Sequence, residues 1–126
     1  MSEADLDDPE QNMLRYHTKN NPLLEHEVFD YLTIFALKML GAPADSEERL
    51  FKYRYMQFEW YRVVLENLRR NIGFCNGLVF WMFNDCWPAS LGWSVIDYYC
   101  MPKSGFYQFK RCSSNVVTCV TADDEG

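Results

Sequence analysis

The chain has 126 residues, 48% of them hydrophobic and 17% aromatic, with a formal net charge of −6 at pH 7. That apolar content can build one modest domain and excludes disorder throughout. The acidic balance lacks the basic footprint of a general nucleic-acid binder, and no run of about 18 apolar residues is present to span a membrane.

The first residues, "MSEADLDDPEQ", are acidic and polar. They read as a loop through residue 12 and lack the basic start and apolar stretch of a signal peptide. Asn21 followed by Pro22 predicts a helix start, because Asn can cap and Pro at the first helical position forgoes no hydrogen bond. Leu24, Val28, Leu32, Phe35 and Met39 then recur at helical spacing and define one apolar face. His26 falls on the polar side, and Gly41 and Pro43 end the helix.

Asp45 opens a second helix, with Glu48 three residues on, close to a capping box. Leu50, Tyr53, Trp60, Val64 and Leu68 line one stripe, interrupted by Gln57. Phe51, Tyr55, Phe58, Tyr61 and Leu65 widen it, so more than one neighbour is expected to cover this helix. Arg69 and Arg70 suit the dipole of its last turn, and Gly73 is a plausible terminator.

The period then changes. "GLVFWMF", residues 77–83, reads as a strand buried on both faces, as in a parallel sheet. Residues 106–110 suit a short helix or an extended segment, and "NVVTCVTADDEG" reads as a final strand running into an acidic end. One parallel-type strand without parallel neighbours implies part of a larger α/β fold. The five cysteines, Cys75, Cys86, Cys100, Cys112 and Cys119, include no Cys-x-x-Cys pair, and an odd count fits a disulfide framework poorly. His17 and His26 lack partners at ligand spacing, so no metal site is expected.

Residues 77–99 hold Trp81, Trp87 and Trp93, and Asn84-Asp85 directly follows the apolar run. Large aromatics beside two polar side chains at a strand end are not what a core requires. They suit a sugar, whose C–H face packs on an indole while its hydroxyls take hydrogen bonds.

An ordered set of pieces makes the reading more specific. "RYHTKNNP", "YRYMQFEWYRVVLENLRRN", "GLVFWMFNDCWP", "GWSVIDYY", "PKSGFYQFKR" and "NVVTCVTADDEG" follow one another in the chain. From about residue 13 onward the sequence resembles glycoside hydrolase family 2, in its β-mannosidase-like branch. The pieces correspond to a His-x-x-Asn-x-Pro segment, the long helix before the last barrel strand, and that strand with its Trp-x-x-Asn-Asp-x-Trp signature. The loop, the final helix and the entry to a β-sandwich follow. The chain departs from the branch at Met82-Phe83, where Gln-Leu is more usual, and in a loop from Trp87 to Trp93 about one residue longer. Both departures leave the sugar open.

The resemblance implies an α/β fold class: residues 13–111 as the C-terminal part of a (β/α)8 TIM barrel, with its last helices and strand eight. Residues 112–126 would begin a following β-sandwich domain. Such barrels carry their sites at the C-terminal ends of the strands. The implied function is hydrolysis of terminal β-linked mannose by a retaining mechanism with two carboxylates about 5 Å apart. The family's acid/base lies in an Asn-Glu pair after strand four, and its nucleophile in a Ser-Glu-aromatic-Gly segment after strand seven. Neither is present: Ser2-Glu3 is followed by Ala4 and Asp5. Both glutamates are therefore expected upstream of residue 1, and the chain is expected to be a partial, inactive piece.

What it would supply is the sugar-holding wall. Trp81 matches the strand-eight aromatic that floors the sugar, with the alternative of a plain core residue. Asn84 and Asp85 would bond sugar hydroxyls or brace the loop, the latter favoured for Asp85. Trp87, with Trp93, would act as a lid aromatic or fix the loop, and Asp97-Tyr98-Tyr99 would anchor the following helix. The family match also implies a cis Trp81–Met82 peptide bond. The expected partners are a carbohydrate and the remainder of the barrel, with no cofactor. Two alternatives stay open: another family 2 exo-glycosidase (exo-β-glucosaminidase, β-galactosidase or β-glucuronidase), and a self-standing carbohydrate-binding module.

Overall fold

The computed structural model describes His17, residues 28–89 and residues 92–120. Among these stand three helices: α1 (Val28–Leu40), α2 (Ser46–Arg70) and α3 (Ser104–Cys112). The expected start at Asn21 and Pro22, together with Leu24, His26 and residues 1–12 and 121–126, lies outside the described residues.

Gly41 ends α1 as expected. Its φ of +74° is left-handed, and its N–H closes the last turn on the Leu37 carbonyl at 3.1 Å. The Lys52 ammonium on α2 then takes the carbonyls of Gly41 and Ala42 at 3.1 and 2.9 Å. Helix α1 packs through Ala36 and Leu40 onto Tyr53 and Met56, and the hydroxyls of Thr33 and Tyr53 meet at 2.8 Å. The predicted stripe is therefore displaced. Phe35 and Met39 are exposed, because small Ala36 makes the contact, and Phe35 meets Trp60 of α2 only edge-on at 6.4 Å.

The α2 cap is as read: Asp45 Oδ1 accepts the Glu48 N–H at 2.8 Å. Glu48 Oε2 reaches one residue beyond the capping-box position, to the Ala44 N–H at 2.6 Å, and Glu48 pairs with Lys52 at 3.0 Å. Helix α2 is covered by α1 near its start and by α3 along its second half. Gly105 of α3 sits so close to Tyr61 that a Cβ there would lie 2.5 Å from Cδ2 of the ring. Glu66 is buried and binds Arg62 at 3.2 Å as well as Arg111 of α3. Arg69 does more than suit its own helix dipole: it donates to the carbonyls of Cys112, the last residue of α3, at 3.0 Å and Asn115 beyond it at 3.2 Å.

Two predicted strands are not formed among the described residues. Residues 77–83 make no ladder, and the pairings present are isolated bridges, Asn84 parallel with Ile96 and Ile96 antiparallel with Pro102. A strand's hydrogen bonds all go to neighbouring segments, and among the described residues no segment runs beside 77–82 as a ladder, although Phe83 at the end of the run bonds Val95 and Ile96. The predicted burial on both faces fails for the same reason. Phe80 packs inward on Phe109 at 4.2 Å and meets Tyr61 edge-on at 6.5 Å, while Val79 is 99% and Trp81 77% exposed. Side chains thus alternate as in a strand, with one side on the helices and the other bare. Residues 115–120 form no strand either, and Val116 and Val120 are exposed. The five cysteines are all free.

Candidate functional site

The site candidates lie where the segment after α2 meets the loop before α3. Phe83 accepts the N–H groups of Val95 and Ile96 at 3.1 and 2.9 Å, Asp85 N–H donates to Ile96 at 3.0 Å, and Lys103 N–H donates to Val95 at 2.8 Å. These bonds bring 83–85, 95–96 and 103 side by side. The side chain of Gln57, the polar break in the α2 stripe, holds this patch from below. Its Nε2 donates to the Ser94 carbonyl at 2.9 Å, and its Oε1 accepts from Gly105 N–H and Ser104 Oγ, both at 3.1 Å. The Tyr61 hydroxyl donates to the Trp93 carbonyl, and burial raises its pKa above the ordinary phenol value.

Trp81 projects from the bare side, and its bond to Met82 is cis, as the family match implies. Asn84 is exposed, and its Nδ2 donates to the Asp85 carbonyl at 3.3 Å. Trp87 is partly exposed and stacks on His17, with ring centroids 4.8 Å apart and planes 19° from parallel. His17 Nδ1 lies 2.8 Å from the Pro88 carbonyl, which can only accept, so Nδ1 carries a proton. Sequence reasoning placed His17 in the His-x-x-Asn-x-Pro segment but gave it no part in the site. Its place on Trp87 joins residues 70 positions apart, and no local spacing signals such a contact.

Asp85 is buried within the patch. Its side chain is 0% exposed: Oδ2 accepts from Lys103 at 2.6 Å and Oδ1 from Ser94 at 2.6 Å. It braces the loop from inside, through the side chains of Ser94 and Lys103. Asp97 also acts within its own turn, where Oδ1 accepts the N–H groups of Tyr99 at 2.9 Å and Met101 at 2.8 Å. Trp81, Asn84 and Trp87 are thus exposed, and Asp85 is buried. An open cleft elsewhere, between the ends of α2 and α3, is lined by Leu65, Leu68, Ile72, Leu78 and Cys112 and includes none of the three. Among the described residues no cluster of His, Cys, Asp and Glu is suited to a metal ion, and no helix is long and apolar enough to cross a membrane.

Comparison with known proteins gives this arrangement a context. Over 106 residues the sequence is 29% identical to β-mannosidase B of Aspergillus fumigatus, and equally to those of Neosartorya fischeri and Aspergillus clavatus. The chain is similar to β-mannosidase B. The resemblance to the β-mannosidase-like branch of glycoside hydrolase family 2 thus holds across 82% of the chain. The matched part is 12% of each relative's length. In three dimensions this chain is similar to part of the exo-β-D-glucosaminidase CsxA, with a TM-score of 0.69 and 24% identity over 87% of this chain and 13% of that one. The fold of this region is therefore that of a segment of a larger glycosidase structure. No protein-family model matches the chain.

Proposed function

We propose that these residues form the C-terminal end of the (β/α)8 catalytic barrel of a β-mannosidase-like retaining glycosidase, with strand eight at 77–83. One observation carries the reading: Phe80 packs on α2 and α3 while Val79 and Trp81 face away from both. In a barrel, alternate residues of a strand face the helix layer and the interior. The bare side is then the barrel interior, and Trp81 stands at its sugar-binding end.

In this reading Trp81 floors the sugar that is cleaved. Its π face opposes the partial positive charge of an oxocarbenium-like transition state. Asn84 bonds a hydroxyl, Trp87 forms a wall, and the two glutamates that do the chemistry come from sequence outside these 126 residues. Residues 112–126 lead into the next domain. Terminal β-mannosides are the favoured substrates, supported by the similarity to β-mannosidase B. The likeness to CsxA, an exo-β-D-glucosaminidase, makes β-glucosaminides the second class to assay.

The test is expression of the complete reading frame that carries this segment, assayed on nitrophenyl β-mannoside and β-glucosaminide. The expected result is hydrolysis with retained configuration, with Trp81→Ala losing most of kcat. Full activity in Trp81→Ala would remove the sugar-floor role, and no hydrolysis of either substrate would remove the glycosidase reading.

A further inference from the structure

The chain between Asp85 and Ser94 leaves the 83–85 patch, carries Trp87 and returns. Its two roots are joined directly, Ser94 Oγ donating to Asp85 Oδ1 at 2.6 Å. A third residue closes the neck: Lys103 Nζ donates to Asp85 Oδ2 at 2.6 Å and to Ser94 Oγ at 2.8 Å. Ser94 and the Asp85 side chain are fully buried. Lys103 occupies the N-cap of α3, a poor place for a cation beside the positive end of the helix dipole, and its side chain makes no capping bond. Its position is not explained by α3. Nor is a buried ion pair an efficient source of stability, because desolvating both charges offsets most of their attraction. What it does enforce is geometry, since each buried group must keep its partner.

We propose that Lys103 is a positioning residue. It clasps Asp85 to Ser94 at the neck of the loop and so sets where Trp87 stands. For catalysis this rests on the glycosidase reading; for the loop itself it does not.

The test uses acrylamide quenching of tryptophan fluorescence in the 126-residue chain at low concentration. It compares the parent, Lys103→Met and Asp85→Asn, each with Trp87 present and in a Trp87→Phe background. Iodoacetamide labelling of buried Cys112, read by mass spectrometry, reports whether the helices stay packed. Lys103→Met is expected to steepen the quenching and Asp85→Asn to do so less. In both, the rise should vanish without Trp87 and Cys112 should stay protected. Asp85→Asn preserves size and is the variant to read if Lys103→Met unfolds. Unchanged quenching, a rise that survives in the Trp87→Phe background, or loss of Cys112 protection in both variants would overturn the clasp. In the complete enzyme Lys103→Met should lower kcat by about 100-fold with a smaller change in KM, the scale of a small misplacement at a site. An unaltered kcat would refute the catalytic part. A parent without glycosidase activity would count against the glycosidase reading, while the quenching result would still decide the clasp.

Discussion

Gln57 Oε1 accepts the N–H of Gly105 at 3.1 Å, so a side chain from the middle of α2 satisfies the first turn of α3. Lys103 supplies no side-chain cap there, and Gln57 takes its place. The bond requires the two helices to lie close. Gly105→Ala would put a methyl group into the Tyr61 ring. This substitution is expected to destabilise the chain by about 1–3 kcal/mol through overpacking, despite the better helix propensity of alanine. Urea unfolding followed by circular dichroism checks it, and an unchanged or raised midpoint would refute the close packing.

The chain alone is expected not to hydrolyse nitrophenyl β-mannoside. It lacks both family motifs that carry the catalytic glutamates, and the loss of nucleophilic and acid/base assistance is worth many orders of magnitude. Turnover above a buffer blank by purified, mass-verified protein would overturn this.

Phe35, Met39, Phe51, Trp60, Val63, Leu78, Val79 and Trp81 are all exposed. Together they should exceed the few hundred Å² of contiguous apolar surface usual on a soluble monomer. The isolated chain is therefore expected to self-associate at raised concentration and to bind a hydrophobic dye strongly. Light scattering showing a clean monomer with little dye binding would contradict it.

The start of α2 should be acid-sensitive. The Ala44 N–H bond, and then Lys52, hold the Glu48 pKa below its ordinary value of 4.5. A depressed folded pKa means that the ionised form is favoured by folding. The contribution is present above 4.5 and is lost as pH falls through the lower folded value. Helical signal followed from neutral pH downward should show this loss, and Glu48→Gln should flatten it. An identical pH profile in both proteins would dismiss the assignment.

Cysteine labelling should sort by burial. Cys86 and Cys100 are exposed and Cys112 is buried. Burial is the largest influence on the Cys112 thiol and raises its pKa, so less thiolate is available. Under native conditions iodoacetamide should modify Cys86 and Cys100 well before Cys112. Equal rates would show that α2 and α3 are not packed as described.

Local chemistry was enough to read the end of α1, the start of α2 and the order of the family-like pieces. Asp45 caps because its carboxylate reaches N–H groups within one turn, and Gly41 stops α1 because, without a Cβ, it takes φ of +74° at no steric cost. Contacts between distant residues were not legible. Gln57 looked like a break in an apolar stripe, yet it binds Ser94, Ser104 and Gly105. Asp85 looked like half of a polar pair at a strand end, yet tertiary packing seals it against Lys103 and leaves Asn84 outside. The strand at 77–83 shows the same division from the other side. Its composition is written in the sequence, but a ladder needs backbone partners from other segments. Without them Phe80 still finds the helices, while Val79 and Trp81 face an open side.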